Sequence, residues 1–437
     1  MLISKTYWGG MPFWFRRTPE HARCESLVLR AHDLRQLRAL YWTSSAHPAP
    51  KIGVVVMHPR VDFTQHYAIP RLLDAGFGVL AAQTRHAGND TMAEHEEMVL
   101  DLGACVQHLL AKRSVDKVVL LGNCGGASLA AYYQAQARRA PAERNKQSPG
   151  GSPTYFEGAP LTPAHGMIYT APHRGQGNVM LAAIDPSVTD ERDPMSCDAA
   201  IDMYDPANGF REPPAWSEYT PAFLASYRAA QRARVERLDA HAQAQLAEAR
   251  TTTNPRRKAH DPVMVVYRTM ANPAFVDRTI DPSDRDYGSL LSEQPHLMNY
   301  AALGLARTCT PRAWLSTWSG LSSNADLVKN VATITEPTLV VHAGRDREIF
   351  PADITAIGNA IASTDKRVET IPGARHYFEP ELGAPTALPR SGGRAEGEAS
   401  TTALPRSAGR AEGEASKTPH VEACMDVVVP WIQERFA

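Results

Sequence analysis

The chain has 437 residues, 43% of them hydrophobic and 21% charged, with a formal net charge of -1. This composition suits a soluble globular protein, and the length calls for two domains or for one domain with a large insertion. A charge so near zero provides no global field toward nucleic acid, an anionic membrane or an acidic partner.

The N-terminal segment lacks a basic region followed by an apolar core, and no apolar run reaches the length of a membrane span, so a cytoplasmic protein with reduced thiols is expected. The six cysteines, Cys24, Cys105, Cys124, Cys197, Cys309 and Cys424, are widely scattered. They form no C-x-x-C pair and no zinc spacing, so neither a disulfide framework nor a metal is expected, and no cofactor is required.

Residues 25–43 read as a hairpin around a polar turn at His32 and Asp33. The run Ile52 to Met57 is continuously apolar, the pattern of a strand buried on both faces of a parallel sheet. A helix over about 68–75 and a strand over 78–82 follow. Thr91-Met92-Ala93-Glu94 has the form of a capping box. It is expected to open a helix whose apolar stripe holds Met98, Leu102, Cys105 and Leu109. Val118 to Leu121 is another buried strand, leading into Gly122-Asn123-Cys124-Gly125-Gly126 and a helix over 127–137; Met167 to Tyr169 is a further strand. This rhythm predicts a doubly wound, mostly parallel α/β sheet.

The rhythm breaks over residues 185–332, which read as a largely helical cap inserted between core segments 1–184 and 333–437. Thr220-Pro221 marks an N-cap and first helical residue, and residues 222–250 suit one long helix whose arginines form a solvated face. The α/β pattern resumes at Pro337 to His342, and Val427 to Ile432 suits a closing helix. Residues 386–401 repeat almost unchanged at 402–417. The unit is polar and cannot supply a core, so it reads as a duplicated, disordered loop without chemical role.

The chemistry centres on Cys124. A strand, then Gly-x-Cys-x-Gly, then a helix forms a sharp turn that presents a nucleophile. The helix N-terminus favours a thiolate, and the Gly125 amide can donate to a developing oxyanion. Downstream, Asp346 stands in a tight turn just beyond strand 338–342, and His376 lies in a loop thirty residues later. In that order they supply an acid that orients an imidazole and a base that takes the thiol proton. Glu348 competes with Asp346 for the acid's role; Asp353, after Pro351, falls in the first turn of the next helix. Pro59 has no N–H to donate, so Arg60 is the expected second backbone oxyanion donor, its guanidinium free to grip a substrate carboxylate or to pair with Asp62. His58 reads as structural. Arg85 is expected either to line the site or to brace its loop, and Trp314 and Trp318 either to wall a substrate pocket or to pack in the core.

In elbow, acid and histidine, the chain resembles the α/β-hydrolase superfamily over about residues 25–180 and 331–437. It is also similar to a group of bacterial α/β hydrolases that carry serine in a G-N-S-G-G elbow. The Cys124/Asp346/His376 set resembles that of dienelactone hydrolases and polyhydroxyalkanoate synthases. Dienelactone hydrolases are shorter and lack a large cap, so their substrate does not carry over, and no other synthase-like segment is present. The resemblance implies cleavage of an ester, thioester or lactone of a small organic molecule through a cysteinyl acyl-enzyme. Transfer of the same acyl group to another acceptor, and a binding protein with a disabled site, are the rivals. The partners expected are a small acyl substrate and, at most, a second copy of the chain; nucleic acid and membrane are not expected.

Overall fold

The computed structural model describes residues 18–113, 115–379 and 419–437; the duplicated 386–417 segment lies outside them. β1 (Ala22–Arg30) and β2 (Gln36–Ser44) form the expected hairpin, with Leu27 opposite Ala39. β3 (Ile52–His58), β4 (Gly78–Gln83), β5 (Lys117–Asn123) and β6 (Gly166–Thr170) then enter the same sheet. After a long excursion containing the short ladder of β7 (Met264–Val265) and β8 (Thr308–Cys309), β9 (Thr338–Ala343) and β10 (Lys366–Ile371) complete it. The order is β1-β2-β4-β3-β5-β6-β9-β10. The β1–β2 and β2–β4 pairs are antiparallel, and the other pairs of this sheet are parallel. The chain fills one side with β4 and then crosses back past β3 to β5, so the switch in strand order falls at the β3/β5 pair. A crevice opens there, beyond the carboxyl ends of the strands.

Each central strand is buried on both faces, and its side chains divide between two cores by the twofold alternation of a strand. Val55 and Met57 of β3 and Leu80 and Ala82 of β4 face α2 (His95–Lys112) and α3 (Gly125–Ala137). Val54 and Val56, with Val79 and Ala81, face the closing helix Pro419–Phe436 and the helix Ile69–Asp74. Each fully buried side chain of this kind contributes about 1.5–3 kcal/mol, which is why uninterrupted apolar runs mark these strands. Cys105 is fully buried in the first of these cores.

The capping-box expectation fails at the start of α2. Asn89 caps a single turn over Asp90–Met92, Glu94 is itself the N-cap residue, and the helix begins at His95. The Glu94 carboxylate instead accepts from Ser148 and Ser152, a long-range pairing that a local pattern does not reveal.

Between α4 (Gln176–Ala183) and β9 the chain builds a third core around α5 (Pro221–Thr251). Thr220 caps α5 by accepting from the Phe223 N–H at 3.1 Å, with Pro221 at the first helical position. Two arginines depart from the expected solvated face. Arg228 is half-buried and donates to the Ala182 carbonyl at 2.9 Å and to Asn272 at 2.8 Å. Arg234 is buried and donates to the Asp185 carbonyl at 2.6 Å and to Glu191. Arg268 is buried between Asp185, at 2.6 Å, and Asp202, at 2.9 Å. These ion pairs tie residues 185–202 to α5 and to the loop that carries Arg268. Among the described residues, no helix is long and apolar enough to cross a membrane.

Candidate active site

β5 runs straight into Cys124, whose backbone is held at φ 54° and ψ -123°, a region costly for any side chain. The flanking glycines make this turn possible. A Cβ on Gly122 would stand 2.6 Å from the Ala127 backbone, and one on Gly126 would stand 2.4 Å from the Met57 carbonyl oxygen. The elbow is also sewn to the neighbouring strand, since Cys124 N–H and Asn123 Nδ2 both donate to the Thr170 carbonyl, at 3.1 and 2.8 Å. Gly125 is the first residue of α3, so its N–H has no acceptor within the helix.

Asp346 and His376 come from the loops after β9 and β10. His376 Nδ1 lies 2.7 Å from Asp346 Oδ2, and both side chains are almost fully buried. The other carboxylate oxygen, Oδ1, accepts the Glu348 and Ile349 N–H groups at 2.8 and 3.1 Å. These bonds fix the carboxylate and oblige Nδ1 of the imidazole to carry a hydrogen. Burial would raise the Cys124 thiol, but the imidazoles beside it, His376 first and then His173, overcome it and hold the thiol well below its ordinary value. Burial would likewise lower His376, but Asp346 and Cys124 outweigh it and raise the ring well above its usual value. The two opposite shifts favour a thiolate beside an imidazolium. His376 Nε2 is buried without a well-aligned acceptor, the loose geometry usual in an unliganded site.

A cavity of about 60 Å³ opens on the sulfur, walled by Leu290, Leu291, Leu305, Trp318 and Tyr377. It shares His173, Val179 and Glu348 with an outer cavity of about 410 Å³, whose wall includes Arg228 and Asn272. Glu348 therefore stands at the junction. Burial pushes its carboxyl up to about 8, and its Oε2 has no partner. It is Asp346, not Glu348, that contacts His376. Asp353 lies in the first turn of helix Pro351–Ala360 and accepts the Phe350 N–H.

The other expected residues divide. Trp318 lines the cavity. Trp314 does not: it is fully buried in the inserted core and donates Nε1–H to Asp239 at 2.7 Å. Arg85 braces its loop, bound to Asp101 at 2.6 Å and to Asp33. The Arg60 backbone N–H is turned toward His58 Nδ1, at 3.1 Å, rather than left open to an oxyanion. Its guanidinium, at the cavity wall, is paired with Asp90 rather than Asp62 and lies 4.5 Å from the Trp318 ring.

Three residues at the sulfur were missed from the sequence: His58, His173 and Gln176, all lining the inner cavity. A Cβ on Gly125 would meet Gln176 at 2.2 Å and Nε2 of His58 and of His173 at 3.0 Å each. The signal was present, since His58 ends β3 and His173 follows β6 by three residues, both at the carboxyl edge where such sheets bind ligands. Ala171, which sets the course of the His173 loop, and Phe378, just after His376, also have positive φ, at 41° and 56°. Among the described residues, no group of three or more His, Cys, Asp or Glu side chains is arranged to hold a metal ion.

Residues 239–382 match a family model described as serine aminopeptidase, S33. The match spans Asp346 and His376 but not the elbow. No curated protein matches the chain by sequence. Among solved structures, Est1E from Butyrivibrio proteoclasticus is 10% identical, with 94% of this chain and 98% of that one covered and a TM-score of 0.45. An esterase from Pyrococcus furiosus is also 10% identical, covering 97% and 98%, with a TM-score of 0.43. A hypothetical protein from Pseudomonas aeruginosa is 14% identical, covering 86% and 92%, with a TM-score of 0.45. These likenesses are too distant to carry an argument about activity. The sheet order, the elbow after β5, and the acid and histidine after β9 and β10 give the chain the α/β-hydrolase fold.

Proposed function

We propose that the protein is a hydrolase that cleaves an ester, thioester or lactone of a small organic molecule through a cysteinyl acyl-enzyme. The observation that carries this reading is the placement of Cys124, on a strained elbow beside a buried His376–Asp346 pair. The Cys124 thiolate attacks the carbonyl carbon, and the π pair moves onto oxygen. Collapse of the tetrahedral species expels the alcohol or thiol, which takes its proton from His376 Nε2. Water then attacks the thioester and gives a proton to His376, and the second collapse returns the thiolate and releases the acid. In this reading the Asp346 carboxylate keeps the ring oriented and stabilises its charge.

The apolar walls of the inner cavity favour one further reading, in which an acceptor other than water captures the acyl group. One experiment separates the possibilities. Protein is incubated with a panel of activated esters and its mass is followed with time. Hydrolysis predicts a covalent acyl adduct that decays in water and is absent in Cys124→Ala. An adduct that decays only when an amine or thiol is supplied makes the protein a transferase. The absence of any adduct across the panel refutes the acyl-enzyme and favours a binding protein.

A further inference from the structure

We infer that His58 and His173 are the side-chain donors of the oxyanion site, completing with the Gly125 amide what the backbone after β3 does not supply. The inference rests on the acyl-enzyme reading above.

The loop after β3 has given its backbone donors away. Pro59 has none, and the N–H groups of Arg60 and Val61 both point at His58 Nδ1, at 3.1 and 3.0 Å. A ring nitrogen that accepts from the backbone cannot also carry a hydrogen, so His58 keeps its hydrogen on Nε2. His173 repeats the device on the opposite wall, where the Gly175 N–H donates to its Nδ1 at 3.0 Å and again leaves the hydrogen on Nε2. The two rings therefore present N–H groups of fixed identity. Both Nε2 atoms converge on one spot over Gly125, the residue next to Cys124. Both residues line the inner cavity, yet only 3% and 7% of their surfaces are exposed. A donor so desolvated acts on a nearby charge far more strongly than it would in water.

Gln176 does not serve as a further donor, although it covers the same glycine. Thr317 gives its hydroxyl hydrogen to the Ala93 carbonyl, so it accepts from His95 Nδ1. Burial keeps His95 neutral, with its pKa near 3, so His95 Nε2 must accept. The Gln176 amide atom 3.1 Å from it is then the nitrogen, and the amide oxygen faces Gly125. Of the three side chains nearest that spot, the two imidazoles are the ones that place N–H groups there.

The reaction moves charge through this spot. On the acyl-enzyme reading, the negative charge starts on sulfur. When the thiolate pair becomes the C–S bond, the carbonyl π pair moves to oxygen, next to the same donors. They need no reorganisation to follow the charge, which is the property that makes such donors effective.

The test compares two small reagents at Cys124. p-Nitrophenyl acetate acylates through an oxyanion; iodoacetamide alkylates by direct displacement and forms none. Loss of one oxyanion donor typically costs about 10²–10³ in rate. His58→Phe and His173→Phe should each slow acetylation by about that factor while alkylation changes less than about tenfold, and His173→Gln, which retains an amide donor, should recover part of the loss. Equal losses in acetylation and alkylation would mean that the rings only hold the thiolate, and the inference fails. It also fails if neither rate changes in folded His→Gln and His→Phe variants. A wild-type protein that iodoacetamide alkylates at Cys124 but the ester never acetylates would overturn the acyl-enzyme reading itself, and this inference with it.

Discussion

Replacing Asp346 with asparagine tests the proposed machinery at one bond. Oδ1 is already claimed by the Glu348 and Ile349 N–H groups, at 2.8 and 3.1 Å. In Asp346→Asn the amide oxygen must keep those two donors, so its NH₂ turns toward His376 Nδ1. The imidazole then has to accept at Nδ1 and carry its hydrogen on Nε2, and a ring in that state cannot take the thiol proton. The imidazolium also loses the buried carboxylate that, after the opposing effect of burial, does most to raise its pKa. A wrong tautomer in a related triad costs about 10⁴ in kcat, and at about 1.36 kcal/mol per decade this is about 5.4 kcal/mol. The measurement is the rate of Cys124 acetylation by p-nitrophenyl acetate at pH 7, read by mass, with the thermal midpoint as the folding control. A folded Asp346→Asn protein within tenfold of wild type would refute the assignment of Asp346 as the orienting acid.

The pH dependence follows from two opposite shifts. The Cys124 thiol is lowered and the His376 ring raised, so acetylation should rise as pH climbs through a value well below 9. It should fall only as His376 loses its proton, well above 6.5, whereas alkylation needs the thiolate alone and should show only the acid limb; a single rise near pH 9 in both would contradict the ion pair. Glu348 titrates at about 8, above its unfolded value near 4.5, so the fold favours its neutral form and its burial costs stability progressively as pH rises through that interval. Glu348→Gln should therefore stabilise the protein more at pH 8 than at pH 4, and an equal effect at both would count against a buried neutral acid. Arg268→Met leaves the fully buried Asp185 without its guanidinium, and urea unfolding should show a loss of about 3–5 kcal/mol; a loss below about 1 kcal/mol would mean the ion pair does not fasten the inserted segment.

What could be read from the sequence was what lies close together along it. The runs of β3, β5 and β9 are apolar on both faces because helices cover both sides of the sheet, and they stand out without any alignment. The elbow is local, and Asp346 and His376 stand just beyond strand ends in the order the fold requires. The errors share one cause. Arg85 finds Asp33 in the hairpin turn and Asp101 on α2; Trp314 finds Asp239 across 75 residues; Glu94 finds two serines beyond α3. A polar side chain shows its type in sequence but not its partner. His58 and His173 are the sharpest case, since what distinguishes them from ordinary loop histidines is a backbone N–H placed on one ring nitrogen. That depends on loop geometry and leaves no periodicity to detect.

The three left-handed residues at the carboxyl edge of the sheet have a thermodynamic consequence. Cys124, Ala171 and Phe378 each hold a loop that positions a reacting or donating group, and each adopts a conformation that glycine would take at little cost. Strain of this kind is worth about 1–3 kcal/mol per residue. Part of the stability won by the valine-rich sheet therefore offsets the shape of its own crevice. Ala171→Gly would release that strain where the His173 ring is aimed, whereas Phe378→Gly would also remove a fully buried ring from the core, at a cost larger than the strain. Gains in backbone comfort at these positions would come with looser rings, so selection for a more heat-resistant variant would tend to erode the very geometry on which turnover depends.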